Sequence, residues 1–360
     1  MLTTTASPID AGQRIEPGPW LFDPWQLFGA LLSMPWVSLI VAAIIAIAVT
    51  VSPRWRARSE SRARLTPASS GGVFARYAPE HRVLGLVAIS VIVIFVAENL
   101  ITRYALNLYN VVSWWRYATP VFTAGVGIAV LLTLIVTRGS RPAERPVVSP
   151  RRTWLSFSSR IGSAGAAVAL LALTATTVLA GLASSNIDGG PYVFLEIDVP
   201  NETIDPIRPW FYGWAYGVPV LICTAALVAV SVAALHANAA RPFLRPETVL
   251  TEQRERRDIA TGITRLAISS ALLALAGAWR FIAEAGSIGG LTIEGDGRSD
   301  SYDAVWRYGE IAAVGGWLAP ALEIAAFVLL LLVTAQLCPP GYDFERTDDA
   351  ETSADREAVR

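Results

Sequence analysis

Seven long apolar runs, separated by short polar segments, dominate the hydrophobic pattern of this chain. Each run is near 20 residues, the length that lets a helix rising 1.5 Å per residue cross a hydrocarbon core of about 30 Å. The pattern predicts an all-α fold, a bundle of seven transmembrane helices joined by small irregular loops. The predicted spans cover residues 30–51, 83–101, 120–137, 161–183, 214–235, 266–285 and 311–337.

The composition agrees with a membrane protein. Of the 360 residues, 53% are hydrophobic and 16% are charged, whereas soluble domains are about one quarter charged. Residues 1–29 lack the basic region that precedes the short apolar core of a secretory signal. We therefore expect residues 1–29 to form an extracellular segment before an uncleaved first span. Residues 339–360 are polar and acidic, and we expect a disordered cytoplasmic tail there.

The distribution of arginine predicts the orientation. The chain has no lysine, and the linkers 52–82, 138–160 and 237–265 together hold nineteen arginines. The segments on the other side, including residues 1–29, hold six. Because cytoplasmic loops are enriched in basic residues, the N-terminus is expected outside and the C-terminus in the cytoplasm. We expect a multi-pass protein of a bacterial plasma (inner) membrane.

Four ionisable residues lie inside the predicted spans, at a similar depth in the outer third of the bilayer. They are Glu98, Arg280, Glu284 and Glu323. An unpaired charge at bilayer depth costs about 3 kcal/mol or more, so we expect Arg280 to contact Glu323 or Glu98. The cluster is either an ion pair that holds spans 2, 6 and 7 together or a polar vestibule for an ion, proton or small solute. A third possibility is that Glu98 and Glu284 lie one turn higher and face the headgroups.

Two arginine clusters in the predicted cytoplasmic linkers are candidates for binding anionic lipid headgroups or a cytoplasmic partner. Alternatively, these arginines only determine the orientation of the chain in the membrane. The sequence Leu250–Ile259 predicts a short charged helix between spans 5 and 6. The cluster residues are Arg54, Arg56, Arg58, Arg254, Arg256 and Arg257.

The sequence predicts no catalytic residue, metal site or cofactor. Cys223 and Cys338 form no Cys-x-x-Cys pair, and His81 and His236 are the only histidines. No Gly-x-x-x-x-Gly-Lys-Ser/Thr loop is present, so any use of ATP would require a partner subunit. No hydrolase or metalloprotease motif occurs either.

The predicted outer loops are acidic, and residues 192–199 alternate as a short strand does. A weak repeat precedes spans 3, 5 and 7, which suggests three successive hairpins in one orientation. Shared ancestry and independent anchoring by interfacial aromatic residues both account for it. The repeats are not the inverted pairs of many transporters. The repeated residues are Trp115, Tyr117, Pro120, Trp214, Tyr216, Pro219, Trp306, Tyr308 and Pro320.

Three functions remain open at this point. The leading hypothesis is a non-catalytic, permease-like or transport-associated membrane subunit, because of the charges within the spans and the basic inner linkers. The second is a membrane sensor or assembly scaffold that reads ligands through the acidic outer loops. The third is a membrane-embedded lipid-modifying enzyme. The expected partners are the lipid bilayer and a cytoplasmic ATPase or another membrane subunit, with no nucleic acid.

Overall fold

In the part of the chain that the structure describes, the fold is a bundle of seven α-helices with two small antiparallel strand pairs. The computed structural model describes residues 34–53, 71–102, 112–139, 153, 156–199, 205–243, 246–288, 290–295, 298–303 and 305–337. The helices are α1 (Pro35–Val51), α2 (Gly71–Leu100), α3 (Thr119–Gly139), α4 (Arg160–Ala183), α5 (Trp214–Ala240), α6 (Val249–Gly286) and α7 (Gly309–Thr334). The strands are β1 (Ser184–Ser185), β2 (Phe194–Leu195), β3 (Gly290–Gly295) and β4 (Arg298–Asp303). The predicted segments 1–29 and 339–360 lie outside the described residues.

Six of these helices, α2 to α7, are long and apolar enough to cross a membrane. This finding confirms the helical class and supports a multi-pass membrane protein. Helix α1 is apolar too, but its 17 residues span about 25 Å, less than the hydrocarbon core. Large apolar side chains on the outer faces of the helices, such as Ile161 and Leu182, are exposed as lipid-facing residues would be.

Helix α6 is the centre of the bundle. In its most apolar stretch 61% of the residues are buried, against 28% to 39% in the other five long helices. Small residues make this position possible, because they allow neighbouring helices to approach closely. The buried glycine, alanine and serine residues along α6 are Ala260, Gly262, Ala267, Ser269, Ser270, Ala271, Ala274, Ala276, Ala278, Ala285 and Gly286.

Two helices begin well before the spans predicted within them. Helix α2 begins at Gly71, twelve residues before the predicted span, and α6 begins at Val249. The charged segment 250–259 is therefore the first part of α6 and not a separate short helix. In this first part, Glu252, Arg256 and Ile259 are buried along one face. Because this face still packs against neighbouring segments, the helix extends beyond the apolar run.

Successive helices alternate in direction and give the bundle two ends. The end where α2, α4 and α6 begin carries Arg241 and Arg256, and we call it the Arg-rich end. The opposite end, where α3, α5 and α7 begin, carries all four strands, and we call it the strand end. One contact agrees with the alternation, because Leu337, after the end of α7, meets Gly85 at the middle of α2, fifteen residues before that helix ends at the strand end.

The strand end is partly built from the predicted strand at 192–199. Strand β2 pairs with β1, and Ile197 bridges to Ile207. The predicted alternation is present, since Val193, Leu195 and Ile197 are buried. The β3–β4 hairpin was not predicted, although its strands pair from Gly290 with Asp303 to Gly295 with Arg298. The sequence Asp-Gly between the strands is a typical signal for a two-residue hairpin turn.

Candidate functional site

Arg280 and Glu323 form an ion pair between α6 and α7. The two helices are antiparallel and closely packed: the backbone at Gly316 approaches Ala283, and Gly315 lies against the Trp279 ring. Helical side chains tilt toward their own N-terminus. The guanidinium of Arg280 therefore points toward the Arg-rich end while the carboxylate of Glu323 points toward the strand end. They meet with Arg280 Nη2 2.8 Å from Glu323 Oε2.

The two partners differ in their access to the surroundings. The Glu323 side chain is 3% exposed, whereas that of Arg280 is 24% exposed. The pair lies well inside both helices, because Arg280 is six residues from the end of α6 and Glu323 is fourteen from the start of α7. The expected contact of Arg280 with Glu323 is thus present. The role of this pair stays a prediction.

Glu98 lies at the same level on a third helix. The rings of Phe95 on α2 and Phe327 on α7 pack edge to face, with centroids 5.8 Å apart. Since α2 and α7 run in opposite directions, Glu98 and Glu323 each lie about one turn nearer the strand end than these rings. Glu98 Oε1 lies 3.3 Å from the hydroxyl of Thr119, at the start of α3.

Glu284 is the outermost of the four predicted residues. It is exposed, one turn beyond Arg280 and near the end of α6. The four ionisable residues therefore fall in one region near the strand end, spread over α2, α6 and α7.

A group of aromatic residues packs beside this region. Tyr117 stacks on Phe281 with centroids 5.8 Å apart, and Tyr212 and Tyr216 meet the Tyr117 ring edge to face. The hydroxyl of Tyr212 lies 3.3 Å from that of Thr177 on α4. Burial raises the pKa of Tyr117 and of Tyr212 above the ordinary value of 10.0, because the phenolate would lose its hydration.

A second polar cluster, not predicted from the sequence, fills the Arg-rich end. Arg241, directly after α5, donates two hydrogen bonds to Glu80 on α2, with Nη1–Oε2 at 3.1 Å and Nη2–Oε1 at 2.7 Å. Both side chains are enclosed, at 3% and 1% exposed. Arg241 Nη2 also donates to the carbonyl of Ile135 on α3 at 3.2 Å. This bidentate pair therefore connects three helices.

Arg256 is the centre of that cluster. Its Nη1 donates to the Arg241 carbonyl at 2.7 Å, its Nη2 to the Pro242 carbonyl at 2.9 Å, and its Nε to the Tyr77 hydroxyl at 3.2 Å. The guanidinium also lies 4.4 Å from the centre of the Phe243 ring. Arg256 is completely buried, so it fixes the turn after α5 against α6.

The three arginines on α6 that were predicted to bind headgroups or a partner therefore do not share one environment. Arg254 and Arg257 are exposed and remain available to headgroups or a partner, whereas the buried Arg256 is not. Treating Arg256 as a surface residue was wrong, because its helical face continues the buried face of α6. The cluster Arg54, Arg56 and Arg58 lies outside the described residues.

A spacing signal in the sequence indicates this second cluster. Glu252, Arg256, Ile259 and Ile263 follow one another at helical intervals of three and four, and all are buried. The charged residues thus continue the same stripe as the apolar ones. His81 lies beside this cluster, with its Nε2 2.8 Å from Glu255 Oε2.

Comparison with known proteins gives no relative from which a role could be transferred. No protein-family model matches the chain, and neither a curated protein nor a solved structure is significantly similar to it.

Proposed function

We propose that this protein is a non-catalytic, transport-associated component of a bacterial plasma membrane. In this proposal all seven helices cross the bilayer, with the N-terminus outside and the C-terminus in the cytoplasm. The ionisable cluster near the strand end lies in the outer third of the bilayer and accepts a proton or small cation from outside. The Arg-rich end faces the cytoplasm, where Arg254 and Arg257 are available to a cytoplasmic subunit.

The Arg280–Glu323 pair carries this proposal. A buried ion pair is weak evidence for stability, because apolar residues of similar size often replace such a pair without loss. Ionisable residues within membrane spans typically mark ion or solute pathways. Arg280 is partly open to the surroundings while Glu323 is enclosed, which is the asymmetry expected of a site entered from one side.

The charge balance favours a cation. The cluster has three carboxylates, Glu98, Glu284 and Glu323, against one guanidinium, Arg280. The loops at the same end are acidic as well, with Asp188, Glu196, Asp198 and Asp205 between α4 and α5. A negative surface raises the local concentration of cations and disfavours anions.

A flux assay tests the proposal. Purified protein is placed in phosphatidylethanolamine–phosphatidylglycerol vesicles that contain a pH-sensitive dye or a sodium-sensitive dye. We expect ion-dependent flux that is lost in the double variant Arg280→Met/Glu323→Leu while its thermal stability in detergent is retained. The matched control is Arg208→Gln/Glu196→Gln, which removes an exposed pair at the same end. Flux that the first double variant retains would refute a solute role for the pair.

The orientation has its own test. A reporter fused after Arg360 should be cytoplasmic, and one inserted within 186–190 should be accessible from outside. These positions follow from the arginine distribution. The opposite accessibility of either reporter would reverse the proposed direction of entry.

A membrane scaffold or sensor is the second candidate, and the described residues between α4 and α5, 184–199 and 205–213, favour it. Val193, Leu195 and Ile197 anchor this loop in the protein core, while Glu196 and Arg208 form an exposed ion pair at 3.2 Å. An ordered surface of this kind suits a partner or ligand outside the membrane. Absence of any flux, together with a partner crosslinked at position 196 in intact cells, would favour this candidate over transport.

A further inference from the structure

His81 on α2 and Glu255 on α6 form an enclosed pair at the Arg-rich end. The imidazole Nε2 lies 2.8 Å from Glu255 Oε2, and the two side chains are 18% and 13% exposed. Among the described residues, His81 is the one hydrogen-bond and ion-pair partner of the Glu255 carboxylate. A neutral imidazole can still donate one hydrogen bond, but only the protonated ring compensates the charge of Glu255.

The pair lies between two other contacts that join α2 and α6. One turn before His81, the Tyr77 hydroxyl accepts a hydrogen bond from Arg256 Nε at 3.2 Å. One turn after it, the Leu84 side chain lies against the backbone of Gly262. Phenols, guanidinium groups and apolar contacts do not titrate near neutral pH. Of the three contacts, the histidine pair is therefore the one that responds to pH in that range.

The charged groups around His81 favour its protonated form. The carboxylates of Glu255, Asp258 and Glu80 all act on it, although Glu80 is held by Arg241 from the chain after α5. The residues after α7 that pack on α2, Ala335–Leu337, contain no ionisable side chain. The other ionisable residues within one helical turn of the pair are Tyr77 and Arg82 on α2 and Glu252, Arg254, Arg256 and Arg257 on α6.

These charges make the stability of the contact depend on pH. Burial lowers the pKa of His81, but the hydrogen bond and charge of Glu255, followed by the charges of Asp258 and Glu80, raise it above the ordinary value of 6.5. His81 precedes the apolar run that begins at Val83. A group with a raised pKa in the folded protein stabilises it fully below the unfolded pKa. That stabilisation is lost as the pH rises through the folded pKa.

We infer that the His81–Glu255 pair is a pH-sensitive contact, which holds the first part of α6 against α2 while His81 is protonated and loosens when it loses that proton. The pair adjoins Arg254, an exposed residue of the same segment, so its response reaches the surface of the Arg-rich end. The contact is independent of the ionisable cluster near the strand end and of the proposed transport role.

Histidine NMR of the purified full-length protein tests this inference. The chain has two histidines, so isotope-labelled histidine in maltoside micelles gives two signals, and His81→Gln identifies that of His81. We expect this signal to titrate with a midpoint above 6.5. Glu255→Gln should lower the midpoint by about one pH unit, a tenfold loss of proton affinity. The matched control Glu247→Gln removes an exposed carboxylate just before α6 and should shift it by less than about 0.3 units.

Hydrogen exchange at the backbone amides of residues 250–258 shows whether the contact loosens. After correction for the intrinsic pH dependence of exchange, protection in the wild type should fall by up to about tenfold between about pH 6 and 8. His81→Gln should lack this fall. The same pH dependence in both proteins, or equal effects of Glu255→Gln and Glu247→Gln on the midpoint, would overturn the inference. If Glu255→Gln does not fold, a wild-type midpoint at or below 6.5 would overturn it as well.

Discussion

Removing either partner of the Glu80–Arg241 pair should destabilise the protein strongly, because the other partner stays buried without its counter-ion. In Glu80→Gln, the guanidinium of Arg241 keeps its bond to Ile135 but loses a carboxylate at 2.7 and 3.1 Å in a site that is 3% exposed. Removing one partner of a buried pair costs about 3–5 kcal/mol. We expect that loss in Glu80→Gln and a similar one in Arg241→Met.

The double variant Glu80→Gln/Arg241→Met should recover part of this cost. With neither charge present, no buried ion is left without its counter-ion, so the combined loss falls below the sum by roughly 1–3 kcal/mol. Reversible unfolding in mixed micelles of maltoside and dodecyl sulfate, followed by tryptophan fluorescence, gives the free energy of each variant. The activity of the protein need not be known.

The exposed pair Arg208–Glu196 provides the comparison. Its atoms are 3.2 Å apart, but the side chains are 37% and 42% exposed. Solvent-exposed pairs contribute about 0–1 kcal/mol, so the same cycle there should give a small interaction energy. Additivity within about 0.5 kcal/mol at Glu80 and Arg241 would refute the reasoning that this pair holds α2, α3 and α5 together.

Three further variants test other parts of the structure by the same unfolding measurement. Arg256→Gln should cost about 3–5 kcal/mol, because two backbone carbonyls and Glu252 lose their donor in a buried site. Gly315→Ala should cost about 1–3 kcal/mol, since its new methyl group would overlap the Trp279 ring. Stability should fall as pH rises above about 10, because the unfolded chain releases the Tyr212 proton before the folded chain does; Tyr212→Phe should reduce this slope.

Each of these variants has a matched control. Arg254→Gln changes an exposed residue of the same cluster and should alter stability by less than about 0.5 kcal/mol. Gly125→Ala adds a methyl group whose nearest described neighbour is 4.0 Å away, so a loss equal to that of Gly315→Ala would contradict the packing argument. Tyr192→Phe, at an exposed tyrosine, should leave the alkaline slope unchanged. An equal reduction by both tyrosine variants would contradict the role of burial.

Much of the fold was predictable from the sequence because the bilayer imposes a length on each helix. Runs near 20 apolar residues indicate helices without any tertiary information, and six such helices are present. The level of Arg280 and Glu323 was also predictable, because a fixed rise per residue converts sequence position into depth. The alternation at Val193, Leu195 and Ile197 likewise predicted a strand with one buried face.

Two features depended on tertiary contacts. The first is where a helix ends beyond its apolar run, and the second is which charged residues are buried in that extension. Hydropathy changes where the chain leaves the hydrocarbon, but α2 and α6 continue because their inner faces still meet neighbouring helices. Arg254, Arg256 and Arg257 carry the same charge, and only its helical spacing from Ile259 and Ile263 sets Arg256 apart in the sequence. Of the three, Arg256 is the buried one, because its direction on the helix turns it toward Tyr77 and the chain after α5. Glu80 and Arg241 are 161 residues apart, and no local pattern pairs them. Depth alone placed Glu98 and Glu323 at one level. The contact of Arg280 Nη2 with Glu323 Oε2 at 2.8 Å depended on packing, because it requires the close approach of α6 and α7.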